Sequence, residues 1–121
     1  MTSILNLTQH PATPEQVAAG VVDLPADSQA RLRALLTFDT LPSADDILSR
    51  AAQLAAMASG HPAAMIGGAL WLMGPLAAEL RKRGVEPLFA FSVRETEEQP
   101  QPDGSVRKVA VFRHRGFVPA V

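Results

Sequence analysis

Three short groups of residues in this 121-residue chain carry side chains or backbone suited to chemistry: Thr8-Gln9-His10, Gly67-Gly68, and Ser92 with Arg94. A histidine can exchange a proton near neutral pH and, when charged, donate to phosphate. Paired glycines between a strand and a helix let backbone amides approach an anion at the positive end of the helix dipole. Arginine presents a planar fork that grips a phosphate through two donors at once. Taken together, these residues point to binding of a phosphate-bearing, nucleotide-like ligand, with His10 as the best candidate for any catalytic role. Each also has an ordinary structural use. Gly67-Gly68 is equally suited to a tight turn with positive φ, His10 to a loop ring packed on Pro11, and the cations Arg94, Arg107 and Lys108 to cross-strand ion pairing with the neighbouring Glu95, Glu97 and Glu98.

Several chemistries are excluded by what the chain lacks. There is no cysteine, hence no disulfide, thiolate metal site or cysteine nucleophile. His10, His61 and His114 show no H-x-x-H or H-E-x-x-H spacing, so neither a metal nor a bound cofactor is expected. Gly67-Gly68 belongs to neither G-x-G-x-x-G nor a P-loop, and Ser92 lacks the G-x-S-x-G elbow of a serine hydrolase. The formal net charge of -1 argues against general DNA or RNA binding. The halves differ, however: three Arg against six Asp and Glu in residues 1–60 give -3, and eight Lys and Arg against six Asp and Glu in 61–121 give +2. A local anion site in the second half is compatible with that split.

The elements that must position these residues follow from punctuation and periodicity. Ile4-Leu5-Asn6-Leu7 reads as a buried strand stopped by Pro11, and Thr13-Pro14-Glu15-Gln16 as a capping box opening a helix that ends near Gly20. Val21-Val22 is a short extended piece. Asp27 or Ser28 caps a helix through Leu32, Leu35 and Leu36, and Ser43 caps another through Ile47, Ala51, Leu54 and Ala58. Ala63-Ala64-Met65-Ile66 is a second buried strand. The helix after Gly67-Gly68 contains Pro75, which either kinks it or restarts it, and ends before Gly84. Leu88–Arg94 and Val106–His114 pair as an antiparallel hairpin across a long, acidic, flexible loop. With 47% hydrophobic and 19% charged residues, the expectation is one domain over residues 1–121: a three-layer, Rossmann-like α/β fold whose mostly parallel sheet ends in that hairpin. Trp71 and Phe112 are expected in the core or a subunit interface.

In such a sheet the carboxyl ends of the parallel strands share one edge. Thr8, Gln9, His10, Gly67, Gly68, Ser92 and Arg94 are expected there, and His61 and His114 towards the other. Met1–His10 lacks the basic start and long apolar core of a secretory signal, and no apolar run is long enough to span a bilayer, so a cytoplasmic protein without membrane contact is expected.

Leu5-Asn6-Leu7-Thr8-Gln9-His10 followed by Thr13-Pro14-Glu15-Gln16 resembles the opening of small CRISPR-associated Rossmann-like proteins of the CARF and ring-nuclease group. The whole chain is also similar to uncharacterised proteins of prophages and proteobacterial genomes, through Met65–Gly68, Phe91–Glu95 and Val111–His114. The first resemblance implies a homodimer that binds a cyclic oligoadenylate across the carboxyl edges and cleaves it without metal, using the 2′-hydroxyl of the ligand. It carries over to Thr8, Gln9, His10 and the glycine turn. The alternative is a non-catalytic phage accessory or protein-interaction module that works through the hairpin or an alanine-rich helix face.

Overall fold

A computed structural model describes residues 3–121; Met1 and Thr2, the head of the segment read above for a signal, lie outside the described residues. In chain order the elements are β1 (Ile4–Leu7), α1 (Pro14–Ala18), β2 (Val21–Val22), α2 (Ala26–Leu36), α3 (Ala44–Met57), β3 (Ala63–Ile66), α4 (Leu70–Lys82), β4 (Glu86–Pro100) and β5 (Val106–Pro119). They form a mixed α/β domain around one five-stranded sheet of order β2-β1-β3-β4-β5. The first four strands are parallel and β5 runs antiparallel to β4. From β1 the chain steps one way to β2 and then returns past β1 to β3 and β4. The direction of winding therefore reverses between β1 and β3.

Local sequence explains most of these elements. Thr13 and Gln16 close a reciprocal capping box at α1, with Pro14 at its first position. The Ser43 hydroxyl accepts the Asp46 amide at α3, and Asp45 and Asp46 face the positive end of its dipole. At α2 the cap is Pro25 with no side-chain bond, so neither Asp27 nor Ser28 is used as expected. Pro75 lies inside a single uninterrupted α4, which rules out the restart. Gly84, at φ +72°, closes that helix after Arg81 and Lys82.

The main core lies on one face of the sheet. Leu5 and Leu7 of β1 and Ala64 and Ile66 of β3 meet Leu32 and Leu36 of α2, Ala51, Leu54 and Ala55 of α3, and Leu72, Leu76 and Leu80 of α4. Each such leucine removed from water contributes about 1.5–3 kcal/mol. The fully buried alanines of α3 have no bulk to hold α4 away, which explains the close packing of the two. On the other face Ile4, Val21, Ala63, Met65 and Leu88 form a smaller cluster, with half-buried Ala12 and Phe117 against it. The right-handed crossover rule puts α1 on that second side, and no α1 residue is buried.

The hairpin departs most from expectation. Its acidic segment is not a flexible loop: β4 continues through Glu95, Glu97 and Glu98 to Pro100, and the turn is only Gln101–Ser105. The backbone ladder with β5 runs unbroken from Ser92 to Pro100, and cross-strand charge suits it, since Arg113 pairs with Glu95 and Glu97 and Arg115 with Glu95. In the turn, the hydroxyl and amide of Ser105 both donate to Asp103, which lowers its carboxyl below the ordinary aspartate range. The register also differs. β5 runs on to Pro119 opposite Leu88, and an irregularity at Phe91/Ser92 sets Ser92 against His114. Only Glu86, Pro87 and Leu88 of β4 pair with β3, so the rest of the hairpin continues past the carboxyl edge as a two-stranded ribbon. His114 therefore lies on the carboxyl side and not towards the opposite edge. Trp71 and Phe112 are not core residues, being 51% and 70% exposed; Trp71 meets the Phe38 ring edge-on.

Candidate functional site

A cleft of about 600 Å³ opens at the carboxyl ends of β1 and β3. Thr8, Gln9 and His10 form one wall, Gly67, Gly68 and Ala69 another, and Met65, Phe89 and Ala90 line its apolar part. Gln9 and His10 are exposed and Thr8 is half-buried. The two carrying loops arise for different reasons. On the β1 side, the strand ends at Leu7 because the Thr8 amide turns to the Asn6 side chain at 2.9 Å and not to a neighbouring strand, well before Pro11 is reached. On the β3 side, Gly68 sits at φ +139°, a backbone conformation that side chains disfavour. A Cβ at Gly67 would lie 3.5 Å from the Thr8 methyl, an ordinary contact, so the turn requires glycine at Gly68 alone.

Behind this turn starts α4, whose cap residue Ala69 supplies no side-chain bond. The first amides of a thirteen-residue helix are thus left without a side-chain partner next to the cleft. On the facing wall the Gln9 side chain donates to the Thr37 hydroxyl at 3.2 Å, which itself donates to the Arg33 carbonyl at 2.7 Å. These bonds tie the loop after β1 to the end of α2. A smaller space of about 40 Å³, enough for an ordered water, lies behind the same loop between Asn6, Asp23, Gln29 and Arg33.

Asn6 was not legible as a site residue. It is 3% exposed, yet its Nδ2 donates to the His10 carbonyl and to Asp23, both at 2.8 Å. Its Oδ1 accepts the Thr8 amide at 2.9 Å and the Thr8 hydroxyl at 2.7 Å. The only signal in the sequence is a polar residue within an otherwise apolar four-residue strand.

Five of the expected site residues are brought together, namely Thr8, Gln9, His10, Gly67 and Gly68. Ser92 and Arg94 lie beyond them on the ribbon, opposite His114 and Phe112. At about 3.3 Å per residue, Arg94 is roughly 13 Å along β4 from Ala90, the last ribbon residue lining the cleft. Glu95 and Glu97 are ion-paired to Arg113 and Arg115, each pair half exposed and worth at most about 1 kcal/mol. His61 precedes β3, with Nδ1 3.2 Å from the Ser3 hydroxyl. The described residues hold no cluster of three or more His, Cys, Asp or Glu disposed for a metal. No helix among them is long and apolar enough to cross a membrane.

Fold and cleft define a mixed α/β domain whose winding reverses beside an open site at the carboxyl edge of its parallel strands. Its sequence matches the model of the Uncharacterized protein MJ1673 family over residues 2–118, and the chain belongs to that family. No curated protein and no solved structure matches it.

Proposed function

We propose that this protein binds a nucleotide-like, phosphate-bearing ligand in the cleft between the loops after β1 and β3, with a cyclic oligoadenylate as the first candidate. The observation that carries this reading is the position of the cleft. In doubly wound sheets, ligands settle outside the carboxyl ends of the strands where the winding reverses, which here is the gap between β1 and β3. The order β2-β1-β3-β4 suits a Rossmann-like frame, in which α1 begins a third layer. Uncapped α4 amides and the Gly68 turn favour an anionic group, and Met65 and Phe89 offer an apolar wall for a base. The likeness of Leu5–His10 and Thr13–Gln16 to the CARF and ring-nuclease group narrows the nucleotide to a cyclic oligoadenylate. Such a ring exceeds a cleft of this size, so the reading includes two copies that share one ligand across their carboxyl edges.

Cleavage in this reading needs only the ligand's own 2′-hydroxyl. Its oxygen attacks the adjacent phosphorus, the bond from phosphorus to the 5′-oxygen breaks, and a 2′,3′-cyclic phosphate remains. The 2′ proton passes to water, and His10 in its charged form protonates the departing 5′-oxygen.

Calorimetry and thermal shift with cyclic tetra- and hexa-adenylate, ATP, AMP and inorganic phosphate test the proposal. Saturating ligand should raise stability by about 2.7 kcal/mol at one hundred times Kd, and the affinity should fall with salt. No stabilisation by any nucleotide at millimolar concentration would refute it. That outcome would favour the second reading, an interaction module acting through its ribbon, on which Phe91, Val106 and Phe112 are 49%, 55% and 70% exposed.

A further inference from the structure

The loop after β1 has a polarity that depends on a residue buried beneath it. Asn6 uses all four hydrogen-bonding positions of its amide, on the Thr8 amide, the Thr8 hydroxyl, the His10 carbonyl and Asp23. The Thr8 hydroxyl also lies 3.2 Å from the His10 carbonyl, but its one proton goes to the nearer Asn6 Oδ1, so the Asn6 amide is what holds that carbonyl. Asp23 takes the Ala12 amide at 3.1 Å, so one carboxylate holds both Asn6 and the far end of the loop. The loop's central acceptor is thus consumed inwards. The amides of the exposed Gln9 and His10 meet no acceptor among the described residues.

We propose that Asn6 and Asp23 are positioning residues that turn the loop's carbonyl inwards and its amides outwards, which makes the β1 wall of the cleft selective for an anionic oxygen such as that of a phosphate. This rests on the ligand reading above and identifies the part of the ligand that the wall receives. An unsupported loop could present either a carbonyl or an amide to the cleft. With the His10 carbonyl held by the Asn6 amide, presenting it to the cleft would leave a donor of the buried Asn6 unpaired.

Because Asn6 is buried, its substitution is expected to lower Tm, and the exposed Asp23 carries the test. In nitrogen-15-labelled protein, titration with inorganic phosphate should move the Gln9 and His10 amide resonances. Asp23→Ala should speed hydrogen exchange of the Ala12 amide at least tenfold and weaken cyclic tetra-adenylate binding at least fivefold. Asp23→Asn keeps an acceptor oxygen and should restore both to within twofold, a rescue that loss of general stability would not produce. Unmoved Gln9 and His10 amides, or unchanged Ala12 exchange in Asp23→Ala, would overturn the proposal, as would full affinity despite fast exchange. Should the wild type bind no adenylate while the phosphate shifts and exchange behave as stated, the nucleotide reading fails and the positioning role stands.

Discussion

At the scale of single residues, His10 separates a ligand contact from a loop histidine. It is exposed, lines the cleft, and its ring makes no hydrogen bond with another described residue, so little of the fold depends on it. Replacement of such a side chain usually changes stability by no more than about 0.5 kcal/mol, whereas loss of a charge-assisted ligand contact costs about 1.5–3 kcal/mol. His10→Ala should therefore leave Tm within about 3 °C of wild type. Adenylate binding should weaken at least tenfold, which corresponds to about 1.4 kcal/mol. A variant that melts far lower but binds normally once folded would assign His10 to the fold instead. His114 presents the opposite case. Both its ring nitrogens are buried without a partner among the described residues and its ring meets Phe117 edge-on at 4.8 Å, so it packs as an aromatic body on β5.

At the scale of elements, α4 carries a testable flaw. Pro75 lacks the N–H that would reach the Trp71 carbonyl, and Gly74 before it removes the Cβ that would crowd the proline ring. Pro75→Ala restores the bond and gives up only the entropic advantage of proline in the unfolded chain. We expect a gain of about 1–2 kcal/mol and a Tm higher by roughly 4–8 °C in thermal denaturation. A lower Tm would show that packing of the half-buried proline ring outweighs the missing bond. How much of the fold was legible divides along the same lines. β1, α1, α3 and β3 were readable because their signals are local: Thr13 and Gln16 cap each other three residues apart, and Ala63–Ile66 is apolar throughout. The length of β4 was not. Glutamate is poor in isolated strands, and the segment is extended here because its backbone pairs with β5 as far as Pro100, with Arg113 and Arg115 placed across from Glu95 and Glu97. The glycine turn and the Thr8–His10 wall were visible as types and spacing. Their support was hidden, since Asn6 gains its meaning from Asp23 on the far side of α1.

At the scale of the whole molecule, the sheet edge and the ribbon behave as separable parts. Beyond Ala90 the two ribbon strands pair with each other and not with β3, and a lone two-stranded ribbon is marginally stable. Its outer strand is guarded against edge pairing by Arg107, Lys108, Arg113 and Arg115. Residues 95–111 can be replaced by an Asn-Gly turn joining Arg94 to its partner Phe112. Tm should stay within about 3 °C and adenylate affinity within twofold, because no deleted residue lines the cleft. If light scattering shows that this shortened chain has lost an oligomer, and calorimetry that it has lost its ligand too, the ribbon is part of the site. The parallel core has a different consequence, one set by time. Ile4 pairs with Ala63 and Leu7 with Ile66, so β1 leaves the ribosome long before its central partner exists. At about 5–20 residues per second, that interval is roughly 3–12 s. Until β3 emerges, the strand that carries half of the cleft can pair only with the two residues of β2, so it waits half-paired while the helices between are made.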